Sequence, residues 1–232
     1  MPLIELMTSS GLGSLLGMRH ALEPDHLAAV TTLVSRERSG ARAALLGMCW
    51  GLGHTLTLVA VGVVLIVLRA EMPASMSDVF ELAVSLMLVG LGTRSILQAA
   101  REGPNGPTRP HRHGRLVHSH AGVAPHLHLG TWTLARRPLL IGMLHGLAGS
   151  GALTALVLAT LPTTTARVAY MALFGLGSTI GMAALSGLLG WPLARLGTHH
   201  VVARGITLLV GCTSTALGLF WAYPLIGKFV SW

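Results

Sequence analysis

The chain has 232 residues, of which 52% are hydrophobic and only 10% are charged, and its mean hydropathy is +0.66. Its long apolar stretches lack the polar surface that a soluble domain needs, which argues against a soluble enzyme or binding domain. The formal net charge of +8 comes largely from arginines in connections beside apolar segments, where they indicate membrane topology rather than nucleic-acid binding.

Six apolar segments of about 20 residues or more can each cross a hydrocarbon core of about 30 Å as an α-helix. The connections between them are polar or contain Pro and Gly, which end helices. The sequence therefore predicts an all-α integral membrane protein with six transmembrane helices. The predicted spans are 8–35, 42–69, 78–101, 138–160, 165–190 and 203–227.

The first span contains the sequence GMRHALEPDHLAAVTTLV at 17–34, which places two histidines and two carboxylates in an apolar segment. Such residues are costly in a membrane and usually mark the path of an ion or substrate. In an unbroken helix, Asp25 would lie about 140° around the axis from His20, and His26 about 240° from it. Because Pro24 lacks an N–H and would clash with the preceding turn, we expect the helix to break there. An opened turn could direct His20, Asp25 and His26 at one point, as a ligand set for nickel, cobalt or zinc.

The segment HALEPDH at 20–26 resembles the signature of the nickel/cobalt transporters, the NiCoT or NicO family: a histidine, four residues, then Asp-His. In the span after the signature the family has Gly-His-Ser/Thr, and GHT stands in that place at 53–55. The resemblance implies a secondary transporter in which Ni²⁺ or Co²⁺ is the substrate, with no resident cofactor. The predicted metal ligands are His20, Asp25, His26 and His54.

The two halves of the chain share short sequences. WGLGHT at 50–55 matches FGLGST at 174–179, and GMRHAL at 17–22 matches GMLHGL at 142–147, with offsets of 124 and 125 residues. Since each half has three spans, the second half must cross the membrane in the opposite sense, which predicts two inverted repeats and a broken first helix. The predicted domains are a first repeat at 1–101, a connection at 102–137 and a second repeat at 138–232.

Three further polar residues are candidates for the metal pathway. Glu23 could be a ligand, a proton acceptor or a partner that orients an imidazole. His145 is the repeat partner of His20, but the second half has Gly-Ser150-Gly where the first has Pro-Asp-His. We therefore expect an asymmetric site. In its second half Gly149 and Gly151 could open the helix and free backbone carbonyls, and Ser150 could offer a hydroxyl, as weak oxygen ligands or a gate.

The connection at 102–137 is rich in His, Pro, Gly and Arg and has no helical or strand periodicity. Histidine pairs spaced by one residue recur three times, which favours a mobile cytoplasmic loop that captures metal over a passive tether. Such a loop could pass the ion to a cytoplasmic acceptor protein. Its histidines are His111, His113, His118, His120, His126 and His128.

Arginines are concentrated in the first, third and fifth connections, and cytoplasmic loops carry an excess of basic residues. The sequence therefore predicts a protein of the bacterial cytoplasmic (inner) membrane with both termini outside. The only lysine is Lys228, so no GxxxxGK[ST] nucleotide-binding loop is present. Transport would have to use a gradient, an exchange or a partner ATPase.

A dication that enters a cell at 100 mV, inside negative, gains roughly 4.6 kcal/mol, which favours uptake. Metal efflux is the alternative within the same class. An intramembrane metalloenzyme would use the same ligands, but the chain has no HExxH sequence, and we expect no enzyme. A metal sensor or buffer would depend on the histidine loop rather than on the membrane residues.

Overall fold

A computed structural model describes the chain at 3–35, 37, 39–101, 111–113, 116–118, 126–129, 132–196 and 200–230. Its described part contains seven helices, which follow the six predicted segments with the first of them divided in two. The helices are α1 (Leu3–His20), α2 (Pro24–Val34), α3 (Gly40–Leu68), α4 (Ala74–Arg101), α5 (Arg136–Thr160), α6 (Thr164–Leu196) and α7 (His200–Val230).

Four of the described helices are long and apolar enough to cross a membrane, judged by length and composition. They are α3, α4, the Thr164–Leu193 part of α6 and the Val201–Phe229 part of α7. Large apolar side chains cover their outer surfaces, and Val67, Leu188 and Phe220 are each at least 70% exposed. Apolar surface of this extent fits a lipid environment.

The predicted break in the first span lies between α1 and α2. Helix α1 ends at His20, residues 21–23 form a turn, and Pro24 is the first residue of α2. In this turn the N–H of Glu23 donates to the carbonyl oxygen of His20 at 3.0 Å. Proline suits the first position of a helix, where its missing N–H would have had no intrahelical partner. The prediction of a broken first helix is confirmed.

The equivalent segment of the second half does not break. Gly149, Ser150 and Gly151 lie inside α5, which continues without interruption to Thr160. Each of the three keeps its backbone N–H, so the hydrogen-bond ladder of the helix can pass through them, unlike Pro24. The expectation that these glycines open the helix is wrong.

Close backbone contacts hold the helices together. Helix α1 packs on α6, α5 packs on α3, and α3 and α6 run antiparallel at the centre of the bundle, with α4 against α7. A methyl group on Gly17 would collide with the carbonyl oxygen of Phe174, and one on Gly142 would collide with that of Trp50. Small residues at helix crossings are typical of membrane proteins, since they let backbones approach closely.

Two short antiparallel hairpins lie in the connection between α4 and α5. Strands β1 (His111–His113) and β2 (Leu116–His118) form the first, and β3 (His126–Leu129) and β4 (Trp132–Ala135) form the second. The sequence predicted no strand here, because segments of three or four residues are too short for a period of two to be recognised. Of the six histidines predicted for this connection, His120 lies outside the described residues.

Candidate metal centre

Four histidine side chains from four helices meet beside the break between α1 and α2. His26, His54 and His145 are buried, with exposed fractions of 1%, 0% and 2%. His20, at the end of α1, is 14% exposed. We call these residues the histidine cluster. Because three of the four side chains are almost completely buried, the cluster lies inside the bundle.

His26 is the centre of this cluster. Its ring centroid lies 4.4 Å from that of His20, 4.1 Å from that of His145 and 5.3 Å from that of His54. The rings of His20 and His54 are 5.2 Å apart. The break brings His20 and His26 together from separate helices, which an unbroken helix could not do.

Two carboxylates orient the imidazoles. Asp25 lies between two of them, with Oδ1 at 2.8 Å from Nδ1 of His26 and Oδ2 at 2.7 Å from Nε2 of His145. Glu23 has Oε1 at 3.0 Å from Nδ1 of His20. Because an ionised carboxylate can only accept hydrogen bonds, each of these imidazole nitrogens is the donor. The carboxylates therefore determine the tautomer of three of the four histidines.

The remaining imidazole nitrogens are buried without a hydrogen-bond partner in the described structure. They are Nε2 of His20, Nε2 of His26, Nδ1 of His145 and both ring nitrogens of His54. A buried polar atom without a partner costs about 1–3 kcal/mol, so a group of them needs an explanation. A neutral imidazole that donates from one nitrogen offers a lone pair on the other, and these atoms can therefore bind a metal ion.

Two overlapping groups of side chains have potential ligand atoms within 4.8 Å of one another. One group is His20, His26 and His54, and the other is Asp25, His26 and His145. The four predicted ligands are thus brought together at one place, divided between two groups that share His26. The Glu23 carboxylate contacts His20 from the turn, and the side chain of Ser150 lies outside the described structure.

Two aromatic residues form the wall behind the cluster, and sequence reasoning did not assign them a role. The Trp50 ring lies 5.3 Å from that of His26 and 5.7 Å from that of His145, and the Phe174 ring lies 5.3 Å from that of His20. The sequence does mark these two residues as equivalent, because each one directly precedes a copy of the repeated GLG sequence. Bulky rings at these positions limit how far the imidazoles can turn.

A cavity of 1040 Å³ opens onto the cluster and reaches α4 and α7. Glu81 of α4 lines it together with all four histidines. Sequence reasoning also missed this residue, although a carboxylate inside an apolar span is a recognised sign of an ion path.

The family model of NicO, described as high-affinity nickel-transport protein, matches residues 6–223. The urease accessory protein UreH of Bacillus sp. (strain TB-90) is 32% identical over 222 residues, which cover 96% of this chain and 93% of that protein. The chloroplast protein FOR GROWTH AND FERTILITY 1 of Arabidopsis thaliana is 29% identical over 189 residues, covering 79% of this chain and 50% of that protein. No solved structure matches the chain significantly.

Proposed function

Because this chain belongs to the NicO family of high-affinity nickel-transport proteins, we propose that it is a secondary transporter that carries Ni²⁺, or alternatively Co²⁺, across the cytoplasmic membrane. The observation that supports the proposal most strongly is the histidine cluster, in which buried nitrogens without partners converge at a helix break. Membership of a transport family also means that the chain is a transporter rather than an enzyme, as predicted.

The proposed membrane site consists of His20, His26 and His54. Imidazole is a ligand that suits nickel and other late divalent metals, and three imidazoles leave coordination positions for water or a passing ligand. A bound ion would also satisfy three of the nitrogens that now have no partner, namely Nε2 of His20, Nε2 of His26 and one ring nitrogen of His54. Selection between nickel and cobalt depends on coordination geometry, since general affinity follows the same order at most sites.

Asp25, which the sequence predicted as a direct ligand, uses both carboxylate oxygens to hold imidazoles. These hydrogen bonds support a role through His26 and His145, because carboxylates that orient metal-binding histidines raise their basicity and fix their rings. Direct coordination by Asp25 stays a prediction. We assign Glu23 the same orienting role towards His20, while roles for His145 and Ser150 in the pathway stay predictions.

Reciprocal contacts support the proposed inverted repeats. Gly17 of α1 contacts Phe174 of α6, and the equivalent residue Gly142 of α5 contacts Trp50 of α3. Trp50 is in turn the equivalent of Phe174, so each half makes the same contact with the other half. At the centre, the hydroxyl oxygens of Thr55 and Thr179, which are equivalent residues, lie 2.9 Å apart. A residue that contacts its own equivalent across antiparallel helices is expected near a two-fold axis in the membrane plane. We propose three-helix repeats at 1–101 and 138–232.

Uptake is the proposed direction, with both termini outside and the 102–137 connection in the cytoplasm. The arginine bias supports this topology, and the membrane potential would drive a dication inwards by roughly 4.6 kcal/mol at 100 mV. Efflux is the competing proposal, because neither the topology nor the ligands determine direction.

We further propose that the histidine connection captures ions on the cytoplasmic side and passes them to an acceptor protein. In its first hairpin His111 is paired directly with His118. Directly paired residues of antiparallel strands have Cβ atoms about 4.5–5.5 Å apart, so the hairpin brings two histidine positions together. In this proposal the connection supplies weak, exchangeable sites, whereas the membrane cluster supplies the selective one.

The test is radioactive nickel flux into sealed proteoliposomes of known protein orientation, with an imposed potential of either sign. The native chain is compared with His26→Ala. Inward flux that requires an inside-negative potential and is lost in the variant supports an importer that uses this cluster. Flux that instead requires an outward metal load or a counter-gradient supports efflux, and no flux in the native chain contradicts transport altogether.

A further inference from the structure

The cavity at the histidine cluster continues towards one end of the bundle. Beyond the histidines, its walls are formed by Glu81 and Ser85 of α4 and by the aromatic and apolar side chains of Phe220 and Tyr223 on α7. These residues lie in the first half of α4 and the last third of α7. The cavity therefore extends from the histidine cluster towards the end of the bundle at which α4 begins and α7 finishes.

The charged groups in the wall of this cavity have one sign. Three carboxylates, those of Glu23, Asp25 and Glu81, line it, and none of the described lining residues is lysine or arginine. The chain as a whole has the opposite balance, with 16 Lys and Arg against 8 Asp and Glu. A cleft with negative groups between low-dielectric walls concentrates cations and raises their rate of association.

Glu81 differs from the other two carboxylates because no histidine side chain that the structure describes forms a hydrogen bond with it. Its Oε1 accepts a hydrogen bond from Ser77 Oγ at 3.3 Å, and the described residues provide it with no ion pair. One turn earlier, Asp78 accepts from Nζ of Lys228 at 2.7 Å and joins the ends of α4 and α7. Glu81 thus keeps its negative charge available to a cation in the cavity.

A second observation indicates that this cavity has a ligand. His54 is 0% exposed, lines the same cavity, and both of its ring nitrogens lack a partner. Glu81 stands seven residues into α4, about 10 Å along the helix from its first residue at 1.5 Å per residue. It therefore lies in the first third of α4 and lines the same cavity as the buried nitrogens.

We propose that Glu81 is the first binding position of a hydrated divalent cation that enters this cavity on its way to the histidine cluster, an inference that rests on the proposed transport function. A carboxylate holds nickel less strongly than imidazoles do, so the ion can move on to the cluster. Glu81 then controls how fast the ion arrives and has little influence on how tightly the cluster holds it.

The experiment compares Glu81→Gln with the matched control Glu71→Gln in nickel uptake by proteoliposomes of known orientation. Glu71 is an exposed carboxylate in the connection just before α4, and it does not line the cavity. At low ionic strength and subsaturating nickel, we expect Glu81→Gln to reduce the initial uptake rate about tenfold. This is the lower end of the range by which charged clefts raise association rates. The maximal rate should change little, and Glu81→Asp should recover most of the loss.

Equilibrium nickel binding to the purified variants separates this effect from a folding defect. Glu81→Gln should bind nickel as the native chain does, and raising the ionic strength should reduce the difference in rate between the two. Equal uptake by Glu81→Gln and Glu71→Gln would overturn the inference while leaving the proposed transport function intact. Loss of equilibrium binding in Glu81→Gln would also overturn it, because Glu81 would then belong to the tight site. Absence of flux in the native chain would remove both proposals together.

Discussion

The break between α1 and α2 and the continuous helix α5 occupy equivalent places in the two proposed repeats. His20 ends the broken helix, whereas its equivalent His145 lies within an unbroken one. Both imidazoles donate to carboxylates, and both carboxylates, Glu23 and Asp25, come from the first repeat. The two proposed repeats thus have similar helix packing but different polar residues, since only the first contains Pro24 and the acidic residues that orient the imidazoles.

The largest effect should separate the two equivalent histidines. His20→Ala removes an imidazole from the proposed ligand set, and we expect nickel uptake to fall to the level of empty liposomes. His145→Ala removes only a partner of Asp25, so uptake should persist with an affinity about 10–100-fold weaker, as for other residues that orient ligands. Radioactive nickel uptake over a range of concentrations measures both. Equal losses in the two variants would mean that the site is symmetric.

A smaller effect is expected at the carboxylate that joins the two repeats. Asp25→Asn has the same shape, but its amide can accept hydrogen bonds at only one of its two terminal atoms and carries no charge. One of the contacts with His26 and His145 is therefore lost. Nickel affinity, measured by equilibrium dialysis, should weaken about 10–100-fold while the helical content by circular dichroism is unchanged. Native affinity in this variant would remove Asp25 from both roles, ligand and orienting group.

Removal of the proline tests whether the asymmetry arises from the backbone. Pro24→Ala restores an N–H and relieves the clash with the preceding turn, so α1 and α2 can join into one helix. In a continuous helix Asp25 and His26 would turn away from His20, and uptake should fall several-fold. Cysteine pairs at the break, examined by spin-label distances in the native and variant chains, report whether the turn closes. If uptake were native and the turn had closed, the break would not be required for the site.

The smallest effect concerns the shared scaffold, where the two repeats should respond alike. Gly17→Ala and Gly142→Ala each place a methyl group against a backbone carbonyl oxygen, and both should lose about 1–3 kcal/mol of stability. Gly90→Ala is the control, because nothing lies within 4 Å of its added methyl group. Thermal unfolding in detergent should show similar decreases in Tm for the first two variants and none for the control. A decrease in only one of the two would argue against equivalent helix packing.

Features that arise from local chemistry could be predicted from the sequence. The break follows from the steric demands of Pro24, and the ionisable residues of the first span stand out because membranes exclude them. The bounds of the helices agree with the apolar segments to within a few residues, except at the start of the first predicted span and at the end of the fifth. In the second half, the same reasoning wrongly predicted that the glycines within α5 would open the helix.

Features that depend on contacts between distant residues could not be predicted. Asp25 and His145 are separated by 120 positions, and neither the charge nor the spacing of a single sequence reveals that they meet. The position of Glu81 in the wall of the cavity is likewise a consequence of how α4 packs beside α7. Only the repeated sequences relate such distant residues, because they identify His145 as the equivalent of His20.

The central claim is that the imidazoles of His20, His26 and His54 hold the transported ion. Nickel K-edge X-ray absorption tests it most directly, on purified protein loaded with one equivalent of Ni²⁺ and with the histidines of the 102–137 connection replaced by alanine. The account predicts three imidazole ligands per nickel, and two after the further change His54→Ala. A coordination sphere made only of oxygen atoms, or a spectrum that His54→Ala leaves unchanged, would contradict it.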